Sequence, residues 1–251
     1  MSALPMYVWA MVLAGLIGTT ATICVMLRRG ALAAGLGSGS ASRVAGAFAI
    51  IWGAWVLASI LLGDADVYRF EPTRLVPLLP VALTGALAVA LLLTRIPVVS
   101  RILTQPDALW WLTVPQIFRV EGVTFLVAMA LGQLPAVFAL PAGLGDIAIG
   151  VEAVFVARKL RRGVVGHSVV WFNVLGLVDL VVALGLGFVA APAAIRLLSV
   201  SPSTEAISLL PIALIPATLV PLAAALHLLS LQRLRAAEEK KPVATPVGSM
   251  K

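Results

Sequence analysis

The sequence predicts an all-α fold, a polytopic membrane bundle of seven transmembrane helices with the N-terminus outside and the C-terminus cytoplasmic. Three observations predict it. First, 61% of the 251 residues are hydrophobic and 12% are charged, against about a quarter charged in a soluble domain, and a water-soluble fold has nowhere to bury that much apolar surface. Second, the apolar residues fall into seven separate runs, each near the ~20 residues that one helix needs to cross the hydrocarbon. Third, the basic residues concentrate in every second connection between the runs, on one side of such a bundle.

The runs are Met6–Leu27, Val44–Leu62, Leu75–Thr94, Leu112–Gly132, Ala136–Ala157, Ser168–Ala190 and Ile207–Leu231. With the N-terminus outside, the cytoplasmic segments hold Arg28, Arg29, Arg43, Arg95, Arg101, the four basic residues of Arg158–Arg162, Arg233, Arg235, Lys240, Lys241 and Lys251, which is 14 of the 18 Lys and Arg. Only Arg69, Arg74 and Arg196 fall outside, and Arg119 lies within a run. That asymmetry sets the orientation, and with it the net charge of +7 is accounted for without a nucleic-acid partner. The first run lacks a basic flank before it, is too long for a signal-peptide core and ends in Arg28-Arg29, so it reads as a retained helix. Residues 1–235 form one domain, and 236–251 read as a disordered cytoplasmic tail carrying Pro242 and Pro246. The lone Cys24 excludes a disulfide framework and a thiolate metal site.

Charged side chains at membrane depth are costly and face the bundle interior. Run four holds Gln116, Arg119 and Glu121; run five Asp146 and Glu152; run six Asn173 and Asp179; run seven His227. At about 1.5 Å per residue, Asp146 and Asp179 fall near the midplane, Arg119 roughly 5 Å toward the cytoplasm, Asn173 and Glu152 about 8–9 Å and His227 roughly 12 Å. His227 therefore reads as an interfacial helix-end residue. Gly143, Asp146, Gly150, Ala153 and Ala157 share one face of run five, and Asn173, Gly176, Asp179, Ala183 and Gly187 share one face of run six. Stripes of small residues of this kind let helices approach closely. Arg119 and Glu121 lie about 160° apart on an α-helix and cannot pair.

Four carboxyls, Glu121, Asp146, Glu152 and Asp179, face one guanidinium, an excess of about −3 if all ionise, which a low-dielectric interior does not hold without relief. Either Glu152 reaches the interface, or a carboxyl keeps its proton, or a cation binds. Arg119 is expected to neutralise one of Asp146 and Asp179, leaving the other protonated. Prolines mark runs three and seven as bent, and Leu140–Asp146, with Pro141, Gly143 and Gly145, reads as an interruption of run five that exposes backbone around a cavity beside Asp146.

No cofactor is expected. No Lys lies in a run to form a retinal Schiff base, the two histidines sit at different depths, and no phosphate-binding loop or Mg-diphosphate motif occurs. The ligand or proton site is assigned to Arg119, Asp146, Asp179, Asn173, Gln116 and Glu121. The function these residues suggest is a small carrier or ligand-binding bundle coupled to protons. An intramembrane enzyme acting on a lipid or isoprenoid, with Asp146 or Glu121 as general acid, and a structural subunit of a membrane complex are the alternatives. The partners implied are the bilayer and a small-molecule or lipid ligand.

Gln116-Ile117-Phe118-Arg119, Pro141-Ala142-Gly143-Leu144-Gly145-Asp146 and Asn173-Val174-Leu175-Gly176-Leu177-Val178-Asp179 read as Q-x-x-R, P-A-G-x-G-D and N-x-x-G-x-x-D. In these the chain resembles, over roughly residues 110–230, a group of uncharacterised bacterial multi-pass membrane proteins. The resemblance implies a bundle in the bacterial cytoplasmic membrane and carries no activity.

Overall fold

The computed structural model describes residues 4–71, 77–192 and 198–239, and all the regular structure among them is helical. Arg74, Arg196 and the tail from Lys240 onward lie outside the described residues. The chain folds as α1 (Met6–Ala33), α2 (Ser38–Asp64), α3 (Leu78–Leu93), α4 (Pro97–Leu103), α5 (Ala108–Thr113), a 3-10 segment (Val114–Gly122), α6 (Val123–Ala130), α7 (Ala136–Arg161), α8 (His167–Val189), a 3-10 turn (Thr204–Ser208), a π-helical segment (Ile215–Leu219) and α9 (Val220–Glu239). Six helical stretches are long and apolar enough to cross a membrane, and α3 with α4 forms a further pair bent by 85°. The protein is thus an apolar helical bundle of the kind found in multi-pass membrane proteins.

Runs one, three, four, five and six start within four residues of where hydrophobicity places them, and run two starts six residues earlier, at Ser38. Run seven, read as starting at Ile207, instead begins with a 3-10 turn and a non-helical crossing, and its continuous span is Ile215–Glu239. Pro211 and Pro216 lack the N–H groups that a helix through this stretch would need. Two other proline expectations are also corrected. Pro77 caps α3 and Pro80 lies in its first turn, where a missing N–H costs nothing. Pro141 sits inside α7, which runs unbroken from Ala136 to Arg161, so the interruption expected at Leu140–Asp146 is absent. The backbone irregularity lies in run four, as the 3-10 segment that carries Gln116, Arg119 and Glu121.

Opposite ends of the bundle are tied separately. At the basic end an Arg101 Nη donates to Ala34 O at 2.9 Å, Arg233 donates to Thr104 O at 2.7 Å, and the Arg161 guanidinium covers the Trp110 ring at 4.7 Å. At the acidic end Arg69 pairs with Glu205 at 3.2 Å. Along the bundle axis one apolar core (Val12, Phe125, Leu134, Phe138, Ile212) and another (Ile149, Val156, Val169, Phe172, Leu234) occupy different levels. α2 is peripheral, burying few residues besides Trp52, while Ile50, Leu57 and Leu61 are exposed. That exposure is the normal condition of a lipid-facing helix.

One interaction locks the π-helical segment. Pro221 cannot donate to the Ala217 carbonyl four residues before it, and the Trp55 indole Nε1 donates to that carbonyl instead at 2.9 Å. Ala217 is fully buried, so without the indole its oxygen would need another donor. Trp55→Phe keeps the ring packing and removes the donor, and is expected to lower stability by about 1–3 kcal/mol. Unfolding of the detergent-solubilised protein measures this, and an unchanged midpoint would show that the carbonyl does not depend on Trp55.

Candidate functional site

The centre of the bundle is built around Arg119, the middle residue of the composite span Ala108–Ala130. Arg119 is 8% exposed and each nitrogen of its guanidinium is engaged. Nε donates to Asp146 Oδ1 at 2.7 Å, Nη2 to Asp179 Oδ2, and Nη1 to the Gly176 carbonyl at 3.2 Å and to His227 Nε2 at 3.1 Å. Arg119 therefore bridges both aspartates, where the sequence leads one to expect a single partner. One guanidinium held by two carboxylates is multiply hydrogen-bonded as well as charge-paired, the condition under which a buried ion pair is tolerated.

The histidine is the residue that sequence counting misplaces. His227 is fully buried and is the middle residue of Ile215–Glu239. A helix starting at Ile207 would have its centre nearer the N-terminus and His227 near the interface, whereas the continuous helix starts at Ile215. The bonding pattern assigns its tautomer. Nδ1 donates to Asn173 Oδ1 at 3.0 Å, leaving Nε2 to accept from Arg119, and Asn173 Nδ2 donates to Val169 O at 2.7 Å. The Phe172 ring meets the imidazole edge to face, 5.3 Å between centroids. Gln116, also buried, binds the Ala223 carbonyl through Nε2 at 3.0 Å, so it anchors the 3-10 segment to α9 at the edge of the cluster. Glu152 stands outside these bonds.

Close backbone approach makes the cluster possible. A Cβ on Gly176 would strike the His227 imidazole, and one on Gly145 would strike the Asp179 carboxylate. At its glycines the small-residue stripe of α7 does not meet α8. A Cβ on Gly143 would stand 2.9 Å from Gly122 O and one on Gly150 2.6 Å from Val120 N, so the stripe receives the 3-10 segment. Gly145, off the stripe, faces α8.

Glu121 departs from this cluster. A 3-10 helix turns by about 120° per residue, so two residues beyond Arg119 the side chain leaves in another direction, against Gly15 of α1. Both carboxyl oxygens are enclosed and have no hydrogen-bond partner. Glu121 lines a small cavity, about 40 Å³ of positions for a water centre, together with Thr19, Gln116, Arg119, Asp146 and residues of the π-helical segment and α9. One water needs roughly 10–15 Å³ on that measure, so the cavity has room for a few waters and no large solute. The six residues assigned to the site thus divide. Arg119, Asp146, Asp179 and Asn173 form one network with His227, Gln116 braces it, and Glu121 faces the cavity without a hydrogen-bond partner.

Residues 76–235 match the family model described as a domain of unknown function, DUF8737. The chain belongs to this family. No curated protein and no solved structure matches it. The DUF8737 stretch contains every residue of the Arg119 network, whereas Gly15 and Thr19, against which Glu121 and the cavity lie, precede it.

Removing Arg119 leaves two carboxylates and a buried imidazole without their donor. Arg119→Leu is expected to cost about 3–5 kcal/mol, and adding Asp146→Asn and Asp179→Asn together should restore part of it, either one alone restoring less. Unfolding free energies in detergent compare the variants, and a triple variant no more stable than Arg119→Leu would show that the ion pairs do not carry this stability.

Proposed function

We propose that the protein is a seven-span carrier of the bacterial cytoplasmic membrane, N-terminus outside and C-terminus inside, whose cycle takes up and releases a proton at Glu121. The observation that carries this reading is the Glu121 carboxyl, enclosed and unpartnered on the wall of a cavity it shares with Arg119 and Asp146. Ionised there, it would be an uncompensated buried charge costing several kcal/mol, and every guanidinium nitrogen is already engaged. A proton removes that charge, and opening the cavity to water on one side lets it leave. Intramembrane carboxyls that relay protons in pumps and transporters work in this way.

Irregular backbone also lines the cavity. The 3-10 segment lines it on one side and the π-helical segment on the other, and both are irregular backbone placed where bundles gate a buried site. Seven spans are supported by the ties at the two ends. α1, α7 and α9 bring their C-terminal ends to α4 and α5 at the basic end, and α3 runs into α4 there. The 16 residues of α3 measure about 24 Å, most of a hydrocarbon thickness of ~30 Å.

Topology is checked by cysteine labelling in a Cys24→Ser background. A membrane-impermeant maleimide added to intact cells should label a Cys at Gln133 and leave one at Arg161 unlabelled, and the reverse pattern overturns the orientation. The proton site is checked by infrared spectroscopy, in which a protonated carboxyl C=O band should be present and vanish in Glu121→Gln. In proteoliposomes carrying a pH dye, a panel of amino acids, sugars and organic cations should contain a solute that drives proton movement abolished by the same substitution. A spectrum without a band assignable to Glu121 would overturn the proton site.

A further inference from the structure

On the far side of α1 and α9 from Glu121 lies a second and much larger cavity, about 830 Å³ counted as for the first. Sites that take cofactor-sized or drug-sized molecules run to about 300–1,000 Å³. Its walls come from α1, α2, α3, α5 and α9, with α4 across the basic end. Among the lining side chains the polar atoms are confined to Thr94, whose hydroxyl is already bonded to Leu91 O, and the indoles of Trp52, Trp55 and Trp111. Water therefore finds almost nothing to bind there, and the cost of leaving apolar space of this size empty grows with its volume.

The chamber has a way in. α2 packs on α1 and the π-helical segment, α3 packs on α9 and the same segment, and α2 and α3 have few close backbone approaches to each other, sharing side-chain clusters around Trp52 and Ala86 and around Trp55 and Ala82, so entry from lipid is by way of the space between their backbones. The rim at the basic end has its own character. Four lining residues there, Leu27, Val44, Ile96 and Ile102, are each chain neighbours of an exposed arginine, Arg28, Arg43, Arg95 and Arg101. Arg28 donates to Ser42, Arg43 to Ser40 and Arg101 to the Ala34 carbonyl, so among the described residues none of the four is neutralised by a carboxylate. α4, turned by 85° from α3, lays Val98, Val99 and Ile102 against the chamber and holds Arg101 at its edge.

We propose that this chamber binds an anionic phospholipid, with an acyl chain between α2 and α3 and the head group against the arginines around α4. The hydrocarbon satisfies the apolar wall, and the head-group charge meets the unneutralised guanidiniums at the depth where lipid phosphates lie. An annular lipid held only by hydrophobic contact would show no preference for head-group charge. The site is separate from the Glu121 cavity, sharing Leu226 as a wall residue, and its failure would leave the proton reading untouched.

Three of the six tryptophans, Trp52, Trp55 and Trp111, line the chamber, which supplies the readout. In a background with Trp9, Trp110 and Trp171 changed to Phe, the protein is placed in phosphatidylcholine nanodiscs. Brominated phosphatidylglycerol or brominated phosphatidylcholine is then titrated in as the minor component. Brominated phosphatidylglycerol should quench saturably at low mole fraction, and brominated phosphatidylcholine only in proportion to its abundance. A Cβ on Gly85 meets no atom within 4 Å, so the side chain of Gly85→Phe starts in open space, and it should obstruct the chamber and abolish the saturable component. Ala54→Phe, from the opposite wall, serves the same purpose if Gly85→Phe does not fold. Arg95→Gln with Arg101→Gln should reduce phosphatidylglycerol to the behaviour of phosphatidylcholine. Equal quenching by the two lipids, or saturable quenching that survives the filled chamber, would overturn the proposal.

Discussion

A guanidinium in the middle of a membrane bundle must be surrounded by acceptors before anything else about the fold can be settled. Arg119 satisfies that condition with groups from three other helices: Asp146 of α7, Asp179 and the Gly176 carbonyl of α8, and His227 of α9. Because an uncompensated charge in low dielectric costs several kcal/mol, the relative positions of these helices are constrained far more tightly than apolar packing alone would require. The glycines at 145 and 176 follow from the same requirement, since a methyl group at either would occupy the space of a ligand to Arg119 or of the imidazole beside it.

The irregular backbone belongs to the same construction. Run four changes from α-helix to a 3-10 segment over Val114–Gly122, in which Arg119 turns to the aspartates and Glu121 to α1. Run seven begins with a π-helical segment because its prolines remove backbone donors, and Trp55 takes up the carbonyl that Pro221 leaves free. These two segments border the Glu121 cavity from both sides. The places where the backbone departs from regular hydrogen bonding are thus the places where a buried carboxyl has space beside it.

Two compartments of opposite chemistry result, on either side of α1 and α9. The one beside Glu121 is small and reaches ionisable groups, and the one bounded by α2, α3 and α4 is large and almost wholly apolar. The peripheral position of α2 is what leaves room for the second. It contributes little to the polar centre and most of its length to the wall of the apolar chamber, which is why a helix so rich in exposed aliphatic residues packs closely on little besides α1.

The membrane character, the helices and the residues that cannot face lipid were legible in the sequence. Hydrophobic run length and the scarcity of charge decide those through transfer free energies that each segment experiences on its own. The stripes of small residues on α7 and α8 were legible for the same reason, as a property of one helix face. What the tertiary structure decided was partnership. Whether Arg119 meets one aspartate or two, whether the α7 stripe receives α8 or the 3-10 segment, and whether Pro141 breaks its helix all depend on atoms contributed by other helices. His227 shows the boundary most plainly. The run of apolar residues starts at Ile207, and a helix from there puts His227 near its end. The continuous helix starts at Ile215, because the prolines at 211 and 216 withhold N–H groups. Hydropathy registers how apolar a segment is and carries no record of which backbone groups are bonded, so it placed at the interface a residue that packing holds at the centre.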